Sequence, residues 1–144
     1  NPAWPVKTVT KPDLIFFDPP YFKKMADHYM KGSISDFSRP RYLEFFKNLF
    51  SLMKEHSKST TRMAFLNADF RDFQSSPAMD EDPENAILVF DYMKLLEKCG
   101  WKITHLIDCP LSSERFSGNM VSHMQKNRTL GITRRTLIIG KLDQ

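Results

Sequence analysis

An apolar run that halts at an acid and two prolines constrains this chain more than any other stretch. Asp13-Leu14-Ile15-Phe16-Phe17-Asp18-Pro19-Pro20-Tyr21-Phe22 is rich in Ile and Phe and is bounded by Pro12 on one side and Pro19-Pro20 on the other. Such a run reads as a strand over 13–18, buried on both faces as in the interior of a parallel sheet. Its carboxyl end is Asp18. In open α/β sheets, ligands bind in the crevice outside the carboxyl ends of the strands, so Asp18 and Tyr21 stand where chemistry is usually done.

The residue types narrow that chemistry. Each proline fixes its own φ and pushes the residue before it out of the helical region, so Pro19-Pro20 makes a stiff, extended exit. Proline lacks an N–H, so the backbone here offers carbonyl acceptors and few donors, and the Asp18 carboxylate adds two acceptor oxygens. A rigid group of acceptors beside the flat Tyr21 ring suits a planar substrate with an NH2 group, as on a nucleobase. Asp18-Pro19-Pro20-Tyr21 after a hydrophobic strand resembles the motif of the S-adenosylmethionine-dependent amino-methyltransferases, which methylate N6 of adenine or N4 of cytosine, mostly in DNA. The resemblance implies catalytic positions at Asp18, Pro19, Pro20 and Tyr21, with Asp rather than Ser at the first of them leaning towards adenine. The bland reading is a strand that ends in Asp before a Pro-Pro turn.

At 144 residues the chain is expected to form one domain, and 41% hydrophobic with 26% charged residues is ordinary for a globular protein. No apolar run approaches the roughly 20 residues that span a bilayer. Asn1-Pro2-Ala3-Trp4-Pro5 resembles neither a signal nor a transit peptide, so no membrane partner and a cytoplasmic location are expected. Cys99 and Cys109 lack metal-ligand spacing and read as buried, reduced thiols, with no metal expected. A net charge of +4 is compatible with a polyanionic partner.

Along the chain, residues 1–12 read as an irregular lead-in. A loop over 22–39 interleaves Lys23, Lys24, His28, Lys31 and Arg39 with Tyr29 and Phe37, a mixture that suits phosphates and unstacked bases as well as a solvated surface. Helical spacing of Leu43, Phe46, Phe50 and Met53 predicts a helix over 40–56, and Arg62–Asn67 reads as a second strand carrying Asn67 and Asp69 at its carboxyl end. After an exposed acidic loop over 74–84, a second helix over 85–98, with Ile87, Phe90, Met93, Leu95 and Leu96 around its face, stops at Gly100. A third strand over 101–109 contains His105, read as a packed or surface histidine. A second long loop over 111–132 holds Arg115, Phe116, Asn119, His123, Lys126 and Arg128, and a last strand runs over 133–140.

This order resembles the second half of a Rossmann-like methyltransferase fold, an α/β fold with a mixed sheet whose last strand is antiparallel. The expected strand order is first, second, fourth, third. By the same resemblance Phe22, Lys23, Lys24, Phe116, Asn119, Lys126 and Arg128 are candidates for substrate binding, Phe116 as a second stacking ring, and Asp18 and Asn67 for binding the cofactor S-adenosylmethionine. The family holds that donor largely on a glycine-rich turn. Here Gly32, Gly100, Gly118, Gly131 and Gly140 include no GxG pair, so the donor site is expected to be incomplete and the missing half of the methyltransferase domain is an expected partner beside DNA. Alternatives are an RNA base methyltransferase and a non-catalytic nucleic-acid-binding module derived from the fold. Carbon-5 chemistry through a cysteine is not supported, because neither Cys99 nor Cys109 follows a proline at the end of the motif strand.

Overall fold

The computed structural model describes residues 10–22, 32–69, 87–111, 117–127 and 134–143. In chain order these give β1 (Leu14–Phe17), a 3-10 turn (Ile34–Asp36), α1 (Arg39–Glu55), β2 (Arg62–Asn67), α2 (Leu88–Lys98), β3 (Trp101–Pro110), α3 (Gly118–Asn127) and β4 (Arg134–Leu142). The four strands form one sheet in the order β1-β2-β4-β3, the order expected from the sequence. β1 and β2 are parallel, whereas β4 is antiparallel to both of its neighbours, β2 and β3.

Both α1 and α2 pack on one face of the sheet. Strand residues alternate between faces, so Ile15 and Phe17, Met63 and Phe65, and Ile138 meet α1 residues Tyr42, Phe46, Phe50 and Met53 and α2 residues Leu88, Tyr92 and Leu96. Phe65 is the hub, its ring stacked on Phe17 with centroids 4.5 Å apart and lying edge-on to Tyr92 at 4.9 Å. Trp101 closes the far side, its indole N–H donating to the Phe50 carbonyl at 3.0 Å. Arg39, expected in a loop, is the first residue of α1 and joins the two helices through Asp91 at 2.6 Å. Pro40 is tolerated because it falls in the first turn, where an N–H has no helical partner. Gly100 follows the end of α2 with φ +83°, a conformation that disfavours a Cβ.

Four expectations are corrected. The strand at Leu14–Phe17 is covered on one face only: Leu14 is 58% and Phe16 60% exposed. These two side chains share the uncovered face with Ala64 and Leu66 of β2, Leu137 and Ile139 of β4, and Ile107 of β3. The inward stripe of α2 is Leu88, Tyr92 and Leu96, whereas Ile87 and Phe90 are exposed. The loop expected over 111–132 contains α3, started by Ser117, whose carbonyl accepts the Val121 N–H and whose hydroxyl accepts that of Met120. Finally, Cys99 and Cys109 are free but half-buried. No helix among the described residues is long and apolar enough to cross a membrane. The acidic loop over 74–84 lies outside the described residues.

Candidate functional site

The carboxyl ends of β1 and β2 and the start of β4 meet at one edge of the sheet. Register fixes this meeting: Phe17 lies opposite Phe65, and Asn67 lies opposite Thr136. Because β4 is antiparallel, its first residues, not its last, reach the edge where Asp18 stands.

At that edge the Tyr21 hydroxyl donates to Asp18 Oδ1 at 2.6 Å. Asp18 is exposed and Tyr21 half-buried, so the carboxylate faces solvent while the phenol is partly sheltered. Burial pushes the Tyr21 phenol up to about 12, the bond to Asp18 pushes in the same direction, and Arg135 beside it pulls the other way. The phenol therefore keeps its proton across the physiological range and stays a donor. A carboxylate has about four lone-pair positions, so Asp18 can accept from Tyr21 and still receive an amine N–H.

The stiff Pro19-Pro20 exit is tied into the core. Tyr42, fully buried on α1, donates to the Pro20 carbonyl at 3.0 Å, and the buried Tyr92 hydroxyl of α2 bonds the Tyr42 hydroxyl at 3.2 Å. Burial first, and then Tyr42, raise the Tyr92 phenol, so Tyr92 keeps its proton and stays a donor. Phe22 is a core residue, 2% exposed, with its ring 5.2 Å from that of Tyr42. Motif and core are thus joined on both sides of Tyr21, at Pro20 and at Phe22.

Asn67 is buried, and its amide N–H groups donate to the carbonyls of Thr136 (3.0 Å) and Phe65 (3.4 Å), while Oδ1 has no partner among the described residues. Asp69 accepts the Val89 N–H at 3.1 Å and so caps the first turn of α2. Phe37 has its ring covered by the Arg41 guanidinium, 3.9 Å from the centroid. Asn119 and Lys126 lie exposed in the first and last turns of α3. Lys23, Lys24, His28, Tyr29, Lys31, Arg115, Phe116 and Arg128 are outside the described residues, and of His123 only the backbone is described.

Sequence reading missed two residues here. Tyr42 falls inside the helix expected over 40–56 without being singled out, although a tyrosine among phenylalanines carries a hydroxyl that needs a partner once buried. Arg135 was one residue of a strand, although an antiparallel last strand places its first residues at the functional edge. Comparison with models of protein families, with curated proteins and with solved structures found no match.

Proposed function

We propose that this chain is the motif-bearing half of an S-adenosylmethionine-dependent amino-methyltransferase that acts on N6 of adenine in DNA, in the cytoplasm. The observation that carries the reading is the Asp18 carboxylate, held by Tyr21 at the carboxyl end of β1, beside a sheet whose last strand is antiparallel and inserted between β2 and β3. In this reading the amine donates to Asp18 and to the Pro19 carbonyl, which favours a tetrahedral nitrogen with its lone pair directed outwards. The base, turned out of the duplex, stacks on Tyr21. Catalysis rests on positioning and on fixed dipoles, with preorganised contacts of this kind typically worth about 3–4 kcal/mol each.

The described residues do not by themselves fit the donor. Asn67 has its amide N–H groups engaged within the sheet, and the sequence supplies no paired glycines at a strand end. We assign the donor to a separate glycine-rich half of the domain. The uncovered sheet face around Leu14 and Phe16, and the edge of β1 that pairs with no described strand, suit such a half. The lack of a glycine turn equally favours the second reading, a nucleic-acid-binding module without catalysis.

The test is methyl incorporation into unmethylated DNA from tritiated S-adenosylmethionine, in the natural polypeptide that carries these residues. Asp18→Ala is expected to abolish most transfer and to leave DNA binding at fixed salt nearly intact, because lysine and arginine contacts to phosphate supply most of the affinity. Wild-type turnover in Asp18→Ala would make the motif a scaffold, whereas DNA binding with no transfer by the wild type would leave the module reading.

A further inference from the structure

The uncovered face of the sheet carries a row of cations at the end away from Asp18. Register places Arg62 of β2 opposite Lys141 of β4, and Lys141 opposite Lys102 of β3. All three belong to the uncovered face, because their strand neighbours Met63, Leu142 and Trp101 pack on the helix side. Neighbouring strands lie about 4.8 Å apart, so the three positions stand within about 10 Å. Lys141, the central one, is half-buried, and the outer two are exposed. Like charges directly opposite one another destabilise a sheet, and here the middle charge is opposed from both sides. Carboxylates do not relieve the row: among the described residues Asp13 pairs with Lys58 and Asp108 with Arg134, while Asp143, two residues beyond Lys141, forms no ion pair. The Arg62 guanidinium donates to the Thr60 carbonyl at 3.0 Å, a neutral acceptor that leaves its charge uncompensated. Further along the same face, His105 lies opposite Ile139 and Ile107 opposite Leu137. His105 is exposed and Ile107 is 43% exposed, so a flat ring and an apolar strip follow directly on the cations.

We propose that Arg62, Lys141 and Lys102 bind the phosphates of a single strand of nucleic acid, with a base lying on His105. A phosphodiester strand presents the matching sequence of groups, an anionic backbone beside planar rings with apolar faces, whereas an acidic peptide supplies the charge without the rings. An open sheet face suits a single strand rather than a duplex, because unstacked bases can lie flat on side-chain rings while basic residues follow the backbone. The row occupies β2, β4 and β3, beside the patch around Leu14 and Phe16, and at the opposite end of β2 from the Asp18 edge. It is therefore a contact separate from the base pocket, and it does not rest on the methyl-transfer reading.

The test is fluorescence anisotropy of the natural polypeptide with end-labelled oligothymidylate and oligouridylate of about 16 nucleotides, titrated at about 50–200 mM salt. The tighter of the two identifies the strand as DNA or RNA. Each phosphate contact to a single strand lowers log K by about 0.7 per tenfold rise in salt, so the row accounts for a slope of about −2. Arg62→Gln, Lys102→Gln and Lys141→Gln should each weaken binding about fivefold at about 0.1 M salt, and the triple variant about 100-fold with a slope shallower by about 2. His105→Ala should weaken binding about fivefold or more at an unchanged slope, as loss of stacking does. Lys141→Gln should in addition raise the urea midpoint, because it removes the charge opposed from both sides. Unchanged affinity and slope in the triple variant would overturn the proposal, as would a wild type with no saturable binding to either oligonucleotide. Tighter binding to a duplex than to a single strand would overturn it too. So would tighter binding to polyglutamate than to either oligonucleotide, which would make the row a docking site for an acidic protein. A lower urea midpoint in all three single variants would make the row part of the fold and overturn it likewise. A wild type that binds the single strand as described and transfers no methyl group would refute the methyl-transfer reading alone.

Discussion

Tyr42→Phe isolates the tether between the motif and the core, because it keeps the ring and removes only the hydroxyl. That hydroxyl donates to the Pro20 carbonyl and bonds Tyr92. Its loss strands the buried Tyr92 hydroxyl, at about 1–3 kcal/mol, and costs Pro20 one bond on a half-buried residue that water can partly reach, at about 0.5–1.5 kcal/mol. The sum is about 1.5–4.5 kcal/mol, a large share of the roughly 5–15 kcal/mol that stabilises a typical domain. Tyr92→Phe should cost less, about 0.5–1.5 kcal/mol, because Tyr42 then still donates to Pro20. In the double variant no hydroxyl is stranded, so its cost should fall below the sum of the two single costs by about 1 kcal/mol or more. Urea unfolding at unchanged m-value measures all three. Strictly additive costs, or a Tyr42→Phe cost under about 0.5 kcal/mol, would show that the tether is not what holds the motif.

The sequence alone makes Tyr21→Phe mild, since the ring is kept; the bond to Asp18 changes that expectation to a fall in kcat of about tenfold or more in steady-state methylation. Tyr21→Ala should in addition weaken capture of the turned-out base by about 1–3 kcal/mol, read as binding to DNA carrying a mismatched target. Because the Tyr21 phenol is raised from 10.0 to about 12 on folding, the stability it contributes is complete below pH 10 and is lost as pH rises towards 12. Tyr92 acts in the same direction. Denaturant unfolding at increasing alkaline pH should therefore show a smaller decline in Tyr21→Phe than in the wild type. Calorimetric titration of the 144-residue chain with S-adenosylmethionine should show weak or no binding. A micromolar dissociation constant would contradict the assignment of the donor to a separate half.

What was legible from the sequence is whatever local pattern decides. β2 has the expected limits, Arg62–Asn67, because a polar linker and a polar strand end bound its apolar run. The strand order followed from two helical crossovers and a last connection read as helix-free. That connection nevertheless contains α3, whose short stripe of Met120, Val121 and Met124 opens at a glycine and gives little periodic signal. The exposure of Leu14 and Phe16 was not legible, since an apolar run looks the same whether or not a layer covers its second face. Ile87 and Phe90 were misplaced because apolar residues surround much of α2, and only tertiary contacts select the inward line of Leu88, Tyr92 and Leu96. At the site, the Asp18 position was readable from the strand end, whereas the meeting of Tyr21 with Arg135 depends on the strand order across β2.

The insertion of β4 between β2 and β3 governs the sequence of events in folding. Among the described strands β3 pairs with β4 alone, so it has no place in the sheet until β4 arrives. During synthesis the β1–α1–β2 unit can form a parallel pair with its helix soon after it emerges, while β3 must wait unpaired for a strand made after it. Pairings between segments far apart in the chain form slowly, because loop closure precedes the contacts that reward it. The edge that carries Asp18 and Tyr21 therefore exists early, but its Arg135 wall arrives last, and with it the strand that locks both sides of the sheet. A nascent or truncated chain that ends before Arg134 would have the motif and would still lack the site.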